Sequence, residues 1–348
     1  MPILIKNESF NNIFLWKLYF IENNYFLCIV KLKKRRIMKY VIIGGVAGGA
    51  TAAARLRRVD EMAEILLLEK GPYISYANCG LPYYIGGVIA EREKLLVQTP
   101  ESFGKRFRID VRVQNEVIAI HPKNKTVTIR NVEGKEYDES YDKLLLSPGA
   151  NPVKPPLEGI NSEGIFTLRN VEDTDHIKAY ISDKQVKRAV VVGAGFIGLE
   201  MAENLHHAGV HVSVVEMGNQ VMAPIDFSMA APIHQHLLQK GVSLYLEEGV
   251  THFKRTDNGI TVFLKSGKAI PADMVLLSIG VRPATALAQQ AGLKLGEMGG
   301  IWVDEHLETS EKDSLCCGRC HRISSSADRK ALAQLSGKSC QPPGTYRC

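Results

Sequence analysis

One cysteine stands apart in the long middle part of this sequence. Cys79, in the run Ser75-Tyr-Ala-Asn-Cys-Gly-Leu-Pro82, is the only cysteine within residues 38–313, whereas five of the seven cysteines fall within residues 314–348. A thiolate is a nucleophile toward sulfur and oxygen electrophiles, so a single thiol placed between glycine and asparagine can carry redox chemistry. We therefore expect Cys79 to be a redox nucleophile.

Two glycine-rich turns have the spacing that holds dinucleotide phosphates. The first is Gly44-Gly-Val-Ala-Gly-Gly49, with Glu69 20 residues after its last glycine. The second, residues 193–198, reads G-x-G-x-x-G and is followed after 18 residues by Glu216. Glycines let the backbone approach a pyrophosphate at a helix N-terminus, and the acid can accept hydrogen bonds from a ribose hydroxyl. One such motif is weak, but two in the same setting are a strong indication.

The elements that must position these residues form two similar units. Each unit is predicted to be a buried strand, a glycine turn, a helix and a second strand. The predicted strands and helices are Tyr40–Ile43, Ala50–Arg58 and Ile65–Glu69 in the first unit, and Ala189–Val192, Leu199–His207 and Val212–Glu216 in the second.

Further strands are predicted between and after the two units, at Glu116–Ile120, Thr126–Asn131, Lys143–Gly149 and Asp273–Gly280. The last two are alike and are expected to carry the chain between two domains. The predicted fold class is α/β, with two Rossmann-like dinucleotide-binding domains of which the second is inserted in the first. We expect the first domain at 38–151 and 281–313 and the second at 152–280.

Charge and hydropathy limit the classes of partner. Residues 1–37 and 314–348 each carry a net charge of +5, so the middle of this +6 chain is at −4. The basic character belongs to the two ends, and we expect no nucleic-acid partner. No run of 18 uninterrupted apolar residues or secretory signal is recognised, which predicts a cytoplasmic protein without a membrane partner.

The two ends of the chain are expected to be foreign to the gene product. Residues 1–37 are rich in Asn, Ile, Phe, Lys and Tyr, and Lys33–Met38 can be encoded by a sequence resembling a bacterial ribosome-binding site. After Asp313 the hydrophobic periodicity ends, and the codons read one base out of step can spell a buried strand ending in Gly-Asp. We therefore predict a non-native extension at 1–37 and a frameshifted tail at 314–348.

The frameshift hypothesis also accounts for a haem-like motif. Cys317-Gly-Arg-Cys320-His321 has the C-x-x-C-H spacing of c-type haem attachment, and with Cys316 it could be taken for a metal cluster. Nothing else in the sequence indicates export or a haem pocket. We predict no metal site.

Taken together, residues 38–313 resemble the pyridine nucleotide–disulfide oxidoreductase superfamily. G-x-V-A-G-G at 44–49 and S-Y-A-N-C-G-L-P-Y at 75–83 are similar to its coenzyme A-disulfide reductase branch. The resemblance implies FAD in the first unit, NAD(P)H in the second, and a lone Cys79 that forms a mixed disulfide with coenzyme A. The cofactor contacts it implies are Gly44, Val46, Gly49, Glu69, Lys70, Gly149, Gly193, Gly195, Gly198, Glu216 and Gly280.

The same resemblance implies a binding surface for coenzyme A disulfide or a similar small thiol compound. Its implied contacts are Thr51, Arg55, Arg58, Ser75 and Asn78. Guanidinium groups bind phosphates with two parallel hydrogen bonds. Asn78 is also expected to cap the helix after Cys79, which would favour the thiolate. The remaining cations of this region, Arg57, Lys105, Arg106 and Arg108, are expected to be solvated.

The sequence also predicts which nicotinamide coenzyme is preferred and how the chain assembles. The Glu216 carboxylate would repel a 2′-phosphate, and Met217-Gly218-Asn219 supplies no arginine to receive one, so NADH is preferred over NADPH. The resemblance also implies a homodimer, built through a C-terminal dimerisation domain that is absent from this chain. The strand that closes the first sheet is expected to be lost after Asp313, leaving a sheet edge bare.

Three alternatives stay open. NADH oxidase chemistry would take Cys79 through a sulfenic acid, although those relatives carry a histidine where Ala47 stands. Persulfide reduction is seen in relatives with a C-terminal rhodanese module. The chain could also be an inactive truncated remnant, which a colourless purified protein would indicate.

Overall fold

The computed structural model describes residues 36–257 and 259–323, and two short strands near the N-terminus. The chain separates into two compact units, residues 1–38 and 39–348. The first unit contains an antiparallel pair of strands, β1 (Tyr19–Ile21) and β2 (Asn24–Phe26). The predicted extension at 1–37 and the predicted tail at 314–348 lie for the most part outside the described residues.

The second unit consists of two halves that share a core order of elements. This order is strand, helix, strand, one or two helices, strand, three antiparallel strands and a further strand, and the second half begins with an additional strand and helix. The elements of the first half are β3 (Lys39–Ile43), α1 (Ala47–Val59), β4 (Glu64–Glu69), α2 (Leu81–Ile85), α3 (Pro100–Phe107), β5 (Asp110–Val113), β6 (Asn115–His121), β7 (Thr126–Asn131), β8 (Glu136–Ser140), β9 (Lys143–Leu146) and β10 (Ala150–Pro152).

The elements of the second half follow the same pattern. They are β11 (Ile165–Thr167), α4 (Val171–Asp183), β12 (Arg188–Val192), α5 (Phe196–His207), β13 (His211–Val215), α6 (Phe227–Gln239), β14 (Ser243–Tyr245), β15 (Val250–Thr256), β16 (Gly259–Leu264), β17 (Ala269–Ala272) and β18 (Met274–Leu277).

The chain then returns to the first half. The returning elements are β19 (Val281–Pro283), α7 (Ala286–Gln290), β20 (Ile301–Val303), β21 (Ser314–Cys316) and β22 (His321–Ile323). β10 and β19 pair as an antiparallel ribbon that joins the two halves, with Asn151 opposite Arg282.

Each half is built on a five-stranded parallel sheet. The strand orders are β21-β9-β3-β4-β5 and β11-β18-β12-β13-β14. The central strands are runs of aliphatic residues with both faces buried, such as Leu66, Leu67 and Leu68 in β4, which is typical of parallel strands covered on both sides. One face of each sheet carries helices and the other a three-stranded antiparallel sheet, β6–β8 or β15–β17.

The core of the second half also receives residues from the first. Leu81, Ile85 and Leu95 pack with Met201 and Leu205 of α5 in one buried cluster. Because Leu81 lies two residues after Cys79, the segment carrying that thiol is anchored on the second half.

The predicted fold class is confirmed, with two differences in detail. Helices α1 and α5 each begin three residues before the predicted start, at Ala47 and Phe196, since the later glycines of each turn belong to the first helical turn. The expectation of a lost strand and a bare sheet edge after Asp313 is wrong, because β21 pairs in parallel with β9 there. Parallel pairing uses backbone groups, and Ser314 and Cys316 are small enough to be buried at this edge.

Among the described residues, no helix combines the length and the apolar character that crossing a membrane requires.

Candidate functional site

The first glycine turn connects β3 to α1 and has room only for glycine at two positions. Gly44 has φ of +99°, and a Cβ there would lie 2.1 Å from the Ser147 carbonyl oxygen. A Cβ on Gly49 would lie 1.7 Å from the Gly44 carbonyl oxygen. The helix therefore packs directly on the turn, and its first N–H groups lie at the carboxyl edge of the sheet, where dinucleotides bind in such folds.

Glu69, at the end of β4, holds this turn in place. Its carboxylate accepts hydrogen bonds from the Gly45 N–H and from the Gly71 N–H, both at 2.8 Å. A carboxylate has about four acceptor positions, so two remain for other donors. Lys70, the next residue, is exposed and lines a shallow cavity of about 280 Å³ together with Gly71, Gln114 and Arg130.

The second glycine turn repeats this geometry closely. Gly193 has φ of +100°, and a Cβ on Gly198 would lie 2.0 Å from the Gly193 carbonyl oxygen. Glu216 accepts hydrogen bonds from the Ala194 N–H and the Gly218 N–H, both at 2.8 Å. A Cβ on Gly195, in contrast, would meet no atom within 4 Å. The second turn thus faces open space at its middle glycine.

Both turns fit the phosphates of a dinucleotide. The N-caps of α1 and α5 are Val46 and Gly195, and neither helix has a side-chain cap hydrogen bond. The first-turn N–H groups, supported by the helix dipole, are the donors that a pyrophosphate needs. Free acceptor positions on Glu69 and Glu216 suit ribose hydroxyls. The residues of each half are therefore those that would hold FAD or a nicotinamide coenzyme.

Gly149 and Gly280 occupy equivalent places in the two halves. Gly149 follows β9 and Gly280 follows β18, and both have positive φ, +73° and +108°. The Gly149 carbonyl oxygen accepts from the Ala284 N–H, and the Gly280 carbonyl oxygen from the Val153 N–H, both at 3.0 Å. These two glycines turn the chain from the sheets into the β10–β19 ribbon.

The segment that bears Cys79 lies against the first glycine turn. Cys79 is an exposed free thiol in a 3₁₀ turn, Asn78–Gly80, directly before α2. The Ser75 N–H donates to the Gly45 carbonyl oxygen at 3.0 Å. The buried Ile74 side chain lies so close to Gly45 that a Cβ there would be 2.6 Å from it. The thiol segment and the first turn therefore form one packed structure.

On its other side, the same segment contacts the second half. α2 packs against α4 and α5, and a Cβ on Gly86 would lie 2.5 Å from Asn204 Oδ1. Lys178 of α4 donates to the Tyr84 carbonyl oxygen at 2.6 Å, and its ammonium lies 3.7 Å from the centre of the Tyr84 ring. Burial lowers the pKa of the Lys178 ammonium, although Asp175 opposes this. The segment that carries Cys79 thus contacts both halves of the second unit.

Two other titratable groups lie near the turns. Burial, with a smaller effect of Glu69, raises the pKa of the Tyr76 hydroxyl, which therefore stays protonated and can donate a hydrogen bond. Burial, with a smaller effect of Glu203, raises the pKa of the Glu200 carboxyl on α5. Sequence reasoning did not single out either residue, although Glu200 follows Gly198 by only two positions.

The residues predicted to contact the substrate lie on two elements. Thr51, Arg55 and Arg58 are exposed and share one face of α1, because they are spaced by four and three residues. Ser75 and Asn78 lie in the Cys79 segment, and the Ser75 backbone joins that segment to the turn before α1. The prediction that Asn78 caps the following helix is wrong, because the N-cap of α2 is Gly80 and no side chain caps it.

The prediction that Arg57 is solvated is also wrong, because its side chain is buried. Its guanidinium donates to five backbone carbonyl oxygens, those of Asp60, Glu61, Ala63, Phe107 and Arg108. Burial lowers the pKa of this guanidinium, and the nearby Arg108 adds to the effect. The end of α1 and the end of α3 are thereby fixed together. Lys105, Arg106 and Arg108 are exposed, as predicted.

The described cysteines differ in their surroundings. Cys316, Cys317 and Cys320 are buried, whereas Cys79 is exposed. Within the part of the chain that the structure describes, no group of three or more His, Cys, Asp or Glu side chains is arranged to hold a metal ion.

Comparison with known proteins gives a family and several similar chains. A model of the pyridine nucleotide-disulphide oxidoreductase family matches residues 38–334. The Coenzyme A disulfide reductase of Staphylococcus aureus strain JH9 is 40% identical over 273 residues, which are 78% of this chain and 61% of the relative. The chain therefore spans about three fifths of that relative's length.

Two solved structures are similar to this chain over most of its length. The reduced CoADR-RHD of Bacillus anthracis has a TM-score of 0.81 and 52% identity, covering 83% of this chain and 52% of that one. A NAD-dependent persulfide reductase from A. fulgidus has a TM-score of 0.78 and 40% identity, covering 82% of this chain and 53% of that one.

Proposed function

Because the chain belongs to the pyridine nucleotide-disulphide oxidoreductase family, we propose that it is built to carry electrons from NADH through FAD to Cys79. FAD would be held at the first glycine turn, by Gly44, Val46, Gly49, Glu69 and Lys70, and NADH at the second, by Gly193, Gly195, Gly198 and Glu216. Gly149 and Gly280 would shape the ribbon beside these sites. The electron acceptor we propose is coenzyme A disulfide.

The chemistry of Cys79 follows from its being a single thiol. Its thiolate attacks one sulfur of coenzyme A disulfide, a mixed disulfide forms, and one coenzyme A thiolate leaves. Two electrons and one proton then return Cys79 to the thiolate and release the second coenzyme A. FAD, when bound, supplies the step between two-electron donation by NADH and reduction of sulfur.

The observation that carries this proposal is the position of the Cys79 segment. The Ser75 N–H is bonded to the first glycine turn, while α2, which follows the thiol directly, packs on α5, the helix that begins at the second turn. The segment that carries the thiol therefore connects the half proposed to hold FAD with the half proposed to hold NADH. The exposed Cys79 also leaves its sulfur accessible to an external disulfide.

We assign recognition of the coenzyme A phosphates to the exposed face of α1. Thr51, Arg55 and Arg58 lie on this face, and Arg55 and Arg58 can each bind a phosphate with two parallel hydrogen bonds. Ser75 and Asn78 would contact the same ligand near its sulfur. Arg58→Met is expected to raise the KM for coenzyme A disulfide without changing the KM for NADH.

The coenzyme preference is assigned to Glu216, whose carboxylate would repel a 2′-phosphate. Glu216→Gln removes that charge, so the ratio of kcat/KM for NADPH to that for NADH is expected to rise about tenfold, equivalent to about 1.4 kcal/mol. The matched control is Glu247→Gln, an exposed carboxylate whose backbone N–H contacts the same loop through the Gly218 carbonyl oxygen. An equal change in both variants would contradict the assignment to Glu216.

The central test is NADH-dependent release of thiol from coenzyme A disulfide by the purified chain, supplied with FAD and followed with a thiol-reactive dye. Cys79→Ser should lower this activity by about three orders of magnitude or more, as the loss of a nucleophile does elsewhere. The variant should still bind FAD and pass electrons from NADH to an artificial quinone. Thiol release that is undiminished in Cys79→Ser would refute the proposed role.

Separate arms of the same assay distinguish the acceptors. A chain that consumes NADH with oxygen alone acts as an oxidase, and one that prefers a glutathione persulfide acts on that class of sulfur. A chain that binds no FAD and stays colourless is an inactive remnant. Since the dimerisation domain implied by the resemblance is absent from this chain, light scattering of the FAD-loaded protein is expected to give the mass of a monomer.

A further inference from the structure

Two buried cysteines outside the predicted site lie close to one another. The Sγ atoms of Cys316 and Cys320 are 3.1 Å apart, and both side chains are fully buried. Cys316 ends β21, and the chain reverses through Gly318, which has φ of +89°. This reversal returns Cys320 beneath Cys316.

Several hydrogen bonds hold the reversal in place. The Cys317 N–H donates to the Leu146 carbonyl oxygen at 3.0 Å, and the Ile301 N–H donates to the Cys320 carbonyl oxygen at 2.8 Å. The Cys320 thiol donates to the Cys317 carbonyl oxygen at 3.0 Å. Hydrogen bonds to the end of β9 and the start of β20 therefore hold the two sulfurs close together.

We propose that Cys316 and Cys320 are a modification site, at which an intramolecular disulfide forms. The sulfurs need to approach by only about 1 Å to reach the S–S bond length of about 2.05 Å. The oxidant is a low-molecular-weight disulfide. One thiolate attacks it and releases a small thiol, and the second thiolate then attacks the mixed disulfide and releases another. Two cysteine thiols are oxidised while one small disulfide is reduced to two thiols.

The place of β21 in the sheet explains how an oxidant reaches a buried pair. β21 has three residues, pairs with β9 on one side of the first sheet, and forms a single antiparallel bridge on the other, between Leu315 and Glu308. Short edge strands open locally at much lower free energy than the whole domain. Reaction therefore proceeds through local opening of β21, after which the fixed position of Cys320 favours closure of the second bond over loss of the first.

The experiment uses the complete chain under native conditions. The protein is incubated with 2-hydroxyethyl disulfide, quenched with acid, alkylated and cleaved with trypsin, which cuts after Lys312 and Arg319. The bond between Cys316 and Cys320 would join peptide 313–319 to peptide 320–322, with a mass lower by two hydrogen atoms than the sum of the two. Fragmentation of the joined peptides identifies the bonded sulfur directly.

Two variants separate the pair from the neighbouring thiol. Cys317→Ala should keep the joined peptides, and Cys316→Ala should abolish them. Joined peptides bonded through Cys317, or fully alkylated Cys316 and Cys320 after incubation, would overturn the proposal. Fragmentation of the unsubstituted chain gives the same decision if a variant fails to fold. The test needs neither FAD nor NADH, so its outcome is independent of the proposed enzymatic activity.

Discussion

The two glycine turns of this protein share a backbone and differ at the position that is Val46 in the first turn and Gly195 in the second. Gly44 and Gly193 have nearly identical φ values, and Glu69 and Glu216 each accept two hydrogen bonds from backbone N–H groups. At the first turn, Gly45 is buried under Ile74 and bonded to the Cys79 segment. At the second, the equivalent Ala194 is also buried, and its carbonyl oxygen accepts from the Met222 N–H at 2.9 Å, whereas a Cβ on the next residue, Gly195, would meet no atom within 4 Å.

A side chain at this position decides how closely a ligand can approach the backbone of the turn. Val46 occupies this position in the first turn, whereas Gly195 leaves room for a ligand atom beside the second. Exposed apolar side chains border the second turn, with Phe196 58% and Met217 80% exposed. The open position at Gly195 suits the close approach of a coenzyme to the second turn.

Adding a methyl group to each turn should produce the largest effects and tests this comparison directly. Gly49→Ala and Gly198→Ala place a Cβ within 2.0 Å of a backbone oxygen, so each should lower the free energy of unfolding by about 3 kcal/mol. Gly195→Ala meets no atom within 4 Å and should leave stability unchanged. It should instead raise the dissociation constant for NADH about tenfold by filling the open space.

Urea unfolding and NADH fluorescence titration measure the two quantities. A Gly195→Ala variant with unaltered NADH affinity would show that the open space is not the coenzyme site. Equal destabilisation by all three substitutions would show that the position of Gly195 is packed as tightly as those of Gly49 and Gly198.

The far ends of the two helices differ as well. α1 is fixed at its end by the five hydrogen bonds of Arg57, whereas α5 ends in a backbone cap at Ala208. Arg57→Met leaves buried carbonyl oxygens without a donor and should cost about 2–3 kcal/mol of stability. Arg58→Met, next to it on the exposed face, should cost less than about 0.5 kcal/mol. Thermal unfolding followed by circular dichroism compares them, and similar losses would contradict the structural role of Arg57.

Much of this architecture could be predicted because glycine positions leave little freedom. Gly44 and Gly49 are required where the backbone turns with positive φ or meets another backbone oxygen, and such positions are visible in a sequence as spaced glycines. The acids that end the second strand of each unit were equally visible. The predicted fold class therefore rested on steric requirements that few other residues satisfy.

The parts that sequence reasoning missed depend on contacts between distant segments. Arg57 looks like its exposed neighbour Arg58, and only the return of the chain at Phe107 and Arg108 supplies its acceptors. Asn78 is a residue type that is favoured at helix N-caps, but the 3₁₀ turn at Asn78–Gly80 makes Gly80 the N-cap of α2. β21 lacks the usual aliphatic residues and forms because the edge of β9 offers free backbone groups.

The smallest expected effect concerns the aspartates that precede a sheet strand in each half. Asp313, before β21, bonds to Lys125 and Lys143 at 2.6 Å, and these bonds lower the pKa of its carboxyl to about 2. Burial acts to raise the pKa of the Asp273 carboxyl, before β18, but hydrogen bonds from the Arg188 side chain and from two backbone N–H groups outweigh burial and lower this pKa. Since both pKa values are depressed by folding, each carboxylate stabilises the protein above a pH of about 4, which is the pKa in the unfolded chain. This contribution is lost as the pH falls.

Asp313→Asn should cost about 1 kcal/mol of stability at pH 7, because its lysine partners are partly exposed, and the difference from the unsubstituted chain should shrink as the pH approaches 2. Urea midpoints measured from pH 7 to pH 3 check this, with Asp273→Asn as the matched variant in the other half, and a difference that grows toward acid pH would reverse the assigned sign.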